Sequence, residues 1–190
     1  VWLYPDSQHS NPVAPNLLNR DFTADAPNTT WVADMTGIQT LEGWLYLAAI
    51  VDIFSRLVVG WAMGKERDEQ LVTKAGMMAL EQWRPPAGLM HHSDRGSQYT
   101  SQGYLALLQA HGIQVSMSRK GDCYDNALME SFFGTFKEEC VERQIYQTRA
   151  EARTSVFEYI EIFYNRQQKH SSLGYVSPVI YEQMKGAINR

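Results

Sequence analysis

Three β-rich runs follow one another between residues 30 and 64, and they constrain the fold more than any other feature of the chain. "TWVADMTGI" alternates apolar and polar residues with period two, whereas "WLYLAAIVDIF" and "RLVVGWAMG" are continuous runs rich in β-branched and aromatic residues. Alternation marks a strand, and a continuous apolar run of this length a buried one. The "LEG" between the first two is a turn, and strands joined so closely pair most simply as an antiparallel meander. Residues 1–28, rich in Pro and Asn and lacking periodicity, read as a linker or arm ahead of a core at 29–190.

After the meander the period lengthens. Residues 68–83 put Leu71, Val72, Ala75, Met78 and Ala79 on one helical stripe that "RPP" stops. A short strand, "GLMHHS", follows. Next come a helix in "TSQGYLALLQAHG", with Thr100 or Ser101 as its cap and Gly112 at its end, and a strand in "IQVSMS". Three more helical segments complete the chain: one within 120–140, one begun by the capping box Thr148-x-x-Glu151, and one with Pro178 in its first turn. Strands linked through helices should lie parallel to the first strand. The expected fold is therefore α/β, a mixed five-stranded sheet of three antiparallel strands and two parallel additions, flanked by helices, with strands one and four adjacent.

Composition narrows the function. With 190 residues the chain can bury one good core, and its net charge of −4 argues against an autonomous, tight nucleic-acid binder. No run of eighteen apolar residues and no basic-then-apolar leader occur, so neither membrane nor export is indicated and a cytoplasmic location is expected. Cys123 and Cys140 lack the spacing of a zinc site and are expected as reduced thiols.

The chemistry rests on carboxylates. Asp34 interrupts an otherwise apolar strand, and a buried carboxylate without a partner costs several kcal/mol or stays protonated. Asp94 stands just beyond the fourth strand, at the edge where α/β sheets place their ligands. If strands one and four are neighbours these two acids converge, and an all-oxygen pair favours Mg²⁺ or Mn²⁺. A turn-forming aspartate before Arg-Gly accounts for Asp94 equally well.

"KGDCYDNALMESFFGTFKEEC", residues 120–140, holds five more acids. Projected at ~100° per residue, Leu128, Phe132 and Phe136 form the apolar arc, flanked by Met129 and Phe133. Asn126, Glu130 and Lys137 share its border. Glu138 and Glu139 are read as solvated surface, and Asp122 and Asp125 as caps at the helix start. Lys137 taken alone is an ordinary surface lysine. His91 and His92 face opposite ways on a strand and cannot hold one zinc ion together, with His92 the one near the site.

The spacing carries a resemblance. Asp34 and Asp94 are separated by 59 residues, Asp94 and Glu130 by 35, and Lys137 follows the glutamate by seven. This resembles the D,D-35-E signature of the transposase and retroviral integrase superfamily. The words "NLLNRDFTADAPNTTWVADMT", "EGWLYLAAIVDIFSRLVVGW", "HSDRGSQYTS", "DCYDNALMESFFGTFKEE" and "YNRQQKHSSLGYVSP" are similar to the OrfB-type transposases of bacterial insertion sequences, over residues 16–185.

The resemblance implies a ribonuclease H-like catalytic core that cuts and joins DNA 3′ ends with two Mg²⁺ (or Mn²⁺) ions. Asp34 would bridge both ions, with Asp94 and Glu130 each completing one. It also implies element ends and target DNA as partners, a homo-oligomer as the active assembly, and action at the nucleoid. Lys137, Asn126, Arg95, Arg119, Lys120, Lys169 and His170 become candidate DNA contacts, although solvent-facing charge explains each cation equally well when taken singly. Two departures stand out: the helix-turn-helix segment that such proteins carry before the arm is not visible, and Gly37 stands where many relatives have a larger residue. A ribonuclease H-like nuclease, or a catalytically decayed multimerisation module, are the alternative readings.

Overall fold

The computed structural model describes residues 9–186, apart from the side chain of Cys123. The first eight residues of the expected arm, the last four of the core and the state of the Cys123 thiol lie outside the described residues. The meander consists of β1 (Thr30–Thr40), β2 (Gly43–Asp52) and β3 (Val58–Gly64), and β1 pairs with β2 from Trp31–Asp52 to Thr40–Gly43. That register leaves only Leu41 and Glu42 in the turn, and Gly43 accepts the φ of 112° that closes it.

Helix α1 (Glu69–Trp83) leads to β4 (Met90–Ser93), and α2 (Gln102–Ala110) leads to β5 (Gln114–Met117). Both crossovers give parallel pairings, so the sheet order is β3-β2-β1-β4-β5, as the element order required.

The two faces of β1 belong to two cores. Trp31, Ala33 and Met35 pack with Leu71, Val72, Ala75 and Ala79 of α1. Val32 and Ile38 pack instead with Phe132, Phe133 and Phe136 of α3 (Ala127–Phe136) and with Val156 of α4 (Arg149–Phe157). Even-numbered residues of β1 therefore face α3, and Asp34 is one of them.

Helix starts follow the local chemistry in most places. Asp68 accepts from the Leu71 amide, Thr148 and Glu151 form the expected capping box, and Ser177 accepts from the Ile180 amide ahead of α5 (Pro178–Met184). Helix α2 departs from expectation: Ser101 occupies the cap position, but its hydroxyl donates to the Gln98 carbonyl instead.

Helix α3 begins as a 3₁₀ turn at Cys123–Asn126 and ends in a π-helical turn at Lys137–Val141, and α4 continues as a π-helix over Glu158–Tyr164. A projection at constant pitch cannot register these changes. The buried stripe of α3 is Met129, Phe132, Phe133 and Phe136, with Leu128 only half-buried at its edge.

Two glycines are explained by close approach. A Cβ on Gly37 would stand 3.0 Å from the Trp44 ring, which fills the space a larger residue would need. On Gly60 of β3 it would stand 2.4 Å from the Ala75 carbonyl oxygen and 2.7 Å from the Ala79 Cβ, both on α1. Backbone cannot move aside as a flexible side chain can. Gly60→Ala is accordingly expected to destabilise the protein by about 1–3 kcal/mol through overpacking, measurable as a lower urea midpoint. An unchanged midpoint would show that α1 is not seated this tightly.

Candidate active site

The parallel pairing of β1 with β4 brings Val32 opposite His92, and Asp34 and Asp94 each lie two residues beyond that couple. Both share the parity that faces α3, because the His92 ring meets the start of that helix, its Nε2 2.9 Å from the Asp125 carbonyl oxygen. His91 turns the other way, to the Tyr104 hydroxyl at 2.8 Å, so the two histidines do face opposite sides of the sheet. Burial lowers the pKa of both, His91 to about 3, and each is a neutral structural imidazole rather than a charged group.

The half-buried carboxyls of Asp34 and Asp94 are fixed by backbone donors. Asp34 Oδ1 accepts from the Met35 amide and Asp94 Oδ1 from the Gly96 amide, each at 2.7 Å. Removal from water pushes the pKa of Asp34 up to about 8, and the neighbouring Asp94 and, more weakly, Glu130 add to that. Asp94 is raised as well, again mainly by burial. The first strand, the end of the fourth and helix α3 thus bring three acids within electrostatic reach, with Asp34 the one that feels both others. Among the described residues, no group of three or more His, Cys, Asp or Glu side chains is placed so that it could hold a metal ion as it stands.

Residues that pattern reading did not single out complete the surroundings. Arg67, in the loop after β3, opposes the upward shift of both aspartates, and His9 opposes that of Asp94. The Arg67 loop is fastened to the loop after β4, since Gln98 Nε2 donates to the Arg67 carbonyl at 2.8 Å. Tyr99, buried beneath the site, is itself raised well above its ordinary pKa by burial and by both aspartates. A cation between two elements of a charged loop carries no periodic signal, and only the tertiary arrangement distinguishes Arg67 from its neighbours.

The remaining acids of residues 120–140 differ from the expectation in two places. Neither Asp122 nor Asp125 makes a side-chain cap bond. Asp125 is instead fully buried and receives Asn16, Arg20 and Arg119, whose charge-assisted bonds, those of Arg119 first, hold its pKa well below the carboxylate range. Glu138 is exposed as expected, but Glu139 is half-buried and accepts from the Tyr159 hydroxyl at 2.9 Å and from Gln168 Nε2 at 3.1 Å.

A family model described as an integrase core domain matches residues 24–123, and a second with the same description matches residues 111–178. The chain belongs to the integrase core domain family. Its relatives include a 31 kDa protein of insertion element IS600 from Shigella sonnei, 53% identical over 178 residues that make up 94% of this chain and 65% of the relative. The transposase for insertion sequence element IS904 from Lactococcus lactis is 48% identical, with 89% and 67% covered, and a transposase for insertion sequence IS3A from Escherichia coli is 46% identical, with 92% and 60% covered. This integrase core therefore spans about two thirds of the length of those proteins.

Among solved structures, the catalytic core of BIV integrase superposes with a TM-score of 0.61 at 16% identity, over 84% of this chain and 97% of that one. The HTLV-2 integrase catalytic core domain in complex with magnesium gives 0.57 at 18%, over 83% and 97%. The fold is thus ribonuclease H-like, as the resemblance implied.

The candidate DNA contacts of the integrase core fall into two groups. Lys120 and Lys169 are exposed, and Lys137 is half-buried two turns after Glu130. Of the remaining candidates, Arg119 pairs with Asp125, Arg95 Nε donates to the Ser118 carbonyl, and the His170 ring packs on Tyr164 at 5.0 Å. Asn126 is buried and donates to the Ala33 carbonyl at 3.2 Å, tying the start of α3 to β1 beside Asp34. Cys140 carries a buried free thiol, and no helix among the described residues is long and apolar enough to cross a membrane.

Proposed function

We propose that this integrase core carries out the phosphoryl transfer of DNA transposition, cutting at the 3′ ends of an insertion element and joining them to a target, with Asp34, Asp94 and Glu130 as its catalytic acids. The observation that carries the reading is the parallel pairing of β1 with β4, which sets Asp34 and Asp94 side by side on the face toward α3, where Glu130 also acts on Asp34. Kinship with proteins named as transposases supports the choice of DNA as substrate.

The donor set suits a divalent cation. It is oxygen-only, and carboxylates that resist ionising together are relieved by a bound Mg²⁺ or Mn²⁺. Asp34, Asp94 and Glu130 would be the residues that hold such ions. When bound, the ions supply Lewis acidity at phosphoryl oxygens. The chain's own residues do the rest. The Met35 and Gly96 amides orient the two aspartates, α3 presents Glu130, and Lys137, Lys120, Lys169 and Arg67 offer positive charge to phosphates. The HTLV-2 integrase catalytic core in complex with magnesium is described in dimeric and trimeric forms, which supports an active assembly with more than one copy of this chain.

A strand-transfer assay tests this: the purified chain, Mg²⁺, an oligonucleotide carrying an element end with a free 3′-OH, and a supercoiled plasmid. Joined product is expected. Cutting without joining would favour a ribonuclease H-like nuclease, and neither activity would favour a multimerisation module; either result overturns the reading.

A further inference from the structure

The segment before β1 carries no helix or strand from residue 9 to 28, yet it is bound closely to the body of the molecule. The Leu17 and Leu18 amides donate to Ser116 Oγ at 2.9 and 3.2 Å, and the Pro15 carbonyl accepts from the Met117 amide, so the segment lies along the open edge of β5. Leu18 is buried in the core on the α3 side. Farther back, His9 Nε2 lies 2.7 Å from the Arg95 carbonyl oxygen, beside the loop that holds Asp94.

The firmest of these ties converge on Asp125. Its Oδ1 accepts from Arg20 Nε and Arg119 Nη2, both at 2.9 Å. Its Oδ2 accepts from Asn16 Nδ2 at 2.9 Å, and from the Arg119 amide and Nε at 2.8 and 3.0 Å. Arg20 also pairs with Asp122. Five donors saturate a carboxylate that has no exposure to water.

The same residue is coupled to the site through its backbone. Its carbonyl accepts from His92 Nε2, while His92 Nδ1 accepts from the Ser116 hydroxyl that in turn receives the Leu17 and Leu18 amides. The next residue, Asn126, is tied to β1 at the Ala33 carbonyl, and Glu130 follows one turn later.

We propose that Asn16 and Arg20 of this segment clamp Asp125, and that Asp125 is a positioning residue which sets the rotation and height of α3, so that Glu130 faces Asp34. The inference rests on the proposed phosphoryl transfer for its kinetic consequence, not for its structural one. A loop held only by Arg119, two residues after the Met117 end of β5, would leave the start of α3 free to shift. An error of about 1 Å in a catalytic group is enough to cost on the order of 100-fold in rate.

The experiment compares the parent chain with Arg20→Gln, Arg20→Lys and Asp125→Asn. Hydrogen exchange is followed at the amides of residues 119–133, and strand transfer is measured against DNA and Mg²⁺ concentration. Arg20 is half exposed, so its glutamine variant is expected to fold with nearly unchanged melting even if Asp125→Asn does not. Faster exchange confined to the start of α3 is expected in Arg20→Gln, with kcat reduced about 10-fold, a higher Mg²⁺ requirement and an unchanged KM for DNA. Arg20→Lys should recover part of kcat. Parent-like exchange at 126–130 in Arg20→Gln would overturn the clamp, and so would a raised KM with unchanged kcat, which would make Arg20 a DNA contact. If the parent itself joins no DNA, the proposed function fails while the exchange comparison still decides the clamp.

Discussion

Asp34→Asn, Asp94→Asn and Glu130→Gln should each reduce strand transfer by on the order of 100- to 1,000-fold, equivalent to about 3–4 kcal/mol of lost transition-state stabilisation, while leaving a folded protein. Each substitution removes one charge from a set of acids that repel one another and keeps the side-chain volume, so packing gives no reason for unfolding. Circular dichroism and single-turnover joining measured on the same preparations separate the two effects. The neighbouring acids provide the control. Glu138→Gln changes an exposed position and should leave joining intact. Glu139→Gln perturbs the pair of bonds from Tyr159 and Gln168, so its effect should appear in melting and not in chemistry. A triad variant that joins DNA at the parent rate would remove that residue from the site.

The strand pattern made the sheet legible because each signal was local and redundant. Period-two alternation, the two-residue turn before Gly43 and helix-length spacers between later strands all specify the same pairing, and β1 and β4 meet as they demand. Asp34 was legible for the same reason, as a charge breaking an apolar run. Glu130 was legible because a helix projection holds over the one turn that separates it from Phe133. The projection failed where the helix itself changes pitch, at the 3₁₀ start and the π-helical end, and there the roles of Asp125 and Glu139 were misread as cap and solvated surface. Their partners, Arg20 and Asn16 for the first and Tyr159 and Gln168 for the second, come from segments remote in the chain. No local rule brings such residues together. Arg67 and His9 escaped for the same reason, since their significance is their position relative to two aspartates fixed by other elements.

The crowding of acids also predicts an unusual stability profile. Asp34 has its folded-state pKa raised to about 8, by burial first and by Asp94 second, against an ordinary value of 3.8. Below pH ~4 the group is protonated in both the folded and unfolded chain and costs nothing. Between there and pH ~8 the unfolded chain has released the proton that the folded chain retains, so this group's contribution declines steadily as pH rises, and above that window the full cost is present. Asparagine never ionises. Asp34→Asn without divalent cation is therefore expected to match the parent near pH 4 and to exceed it at pH 8 by on the order of 5 kcal/mol, or about 10–20 °C in Tm for a chain of this length. Mg²⁺ should raise the Tm of the parent at pH 8, because a cation held by the folded state alone adds its binding free energy to folding, and should raise that of the variant far less. Calorimetry at the two pH values, with chelator and then with Mg²⁺, reads all four quantities. A variant that melts below the parent at pH 8 in chelator would mean that the Asp34 carboxylate stabilises the fold through a partner such as Arg67, and the case for a cation-seeking site would lose its physical basis.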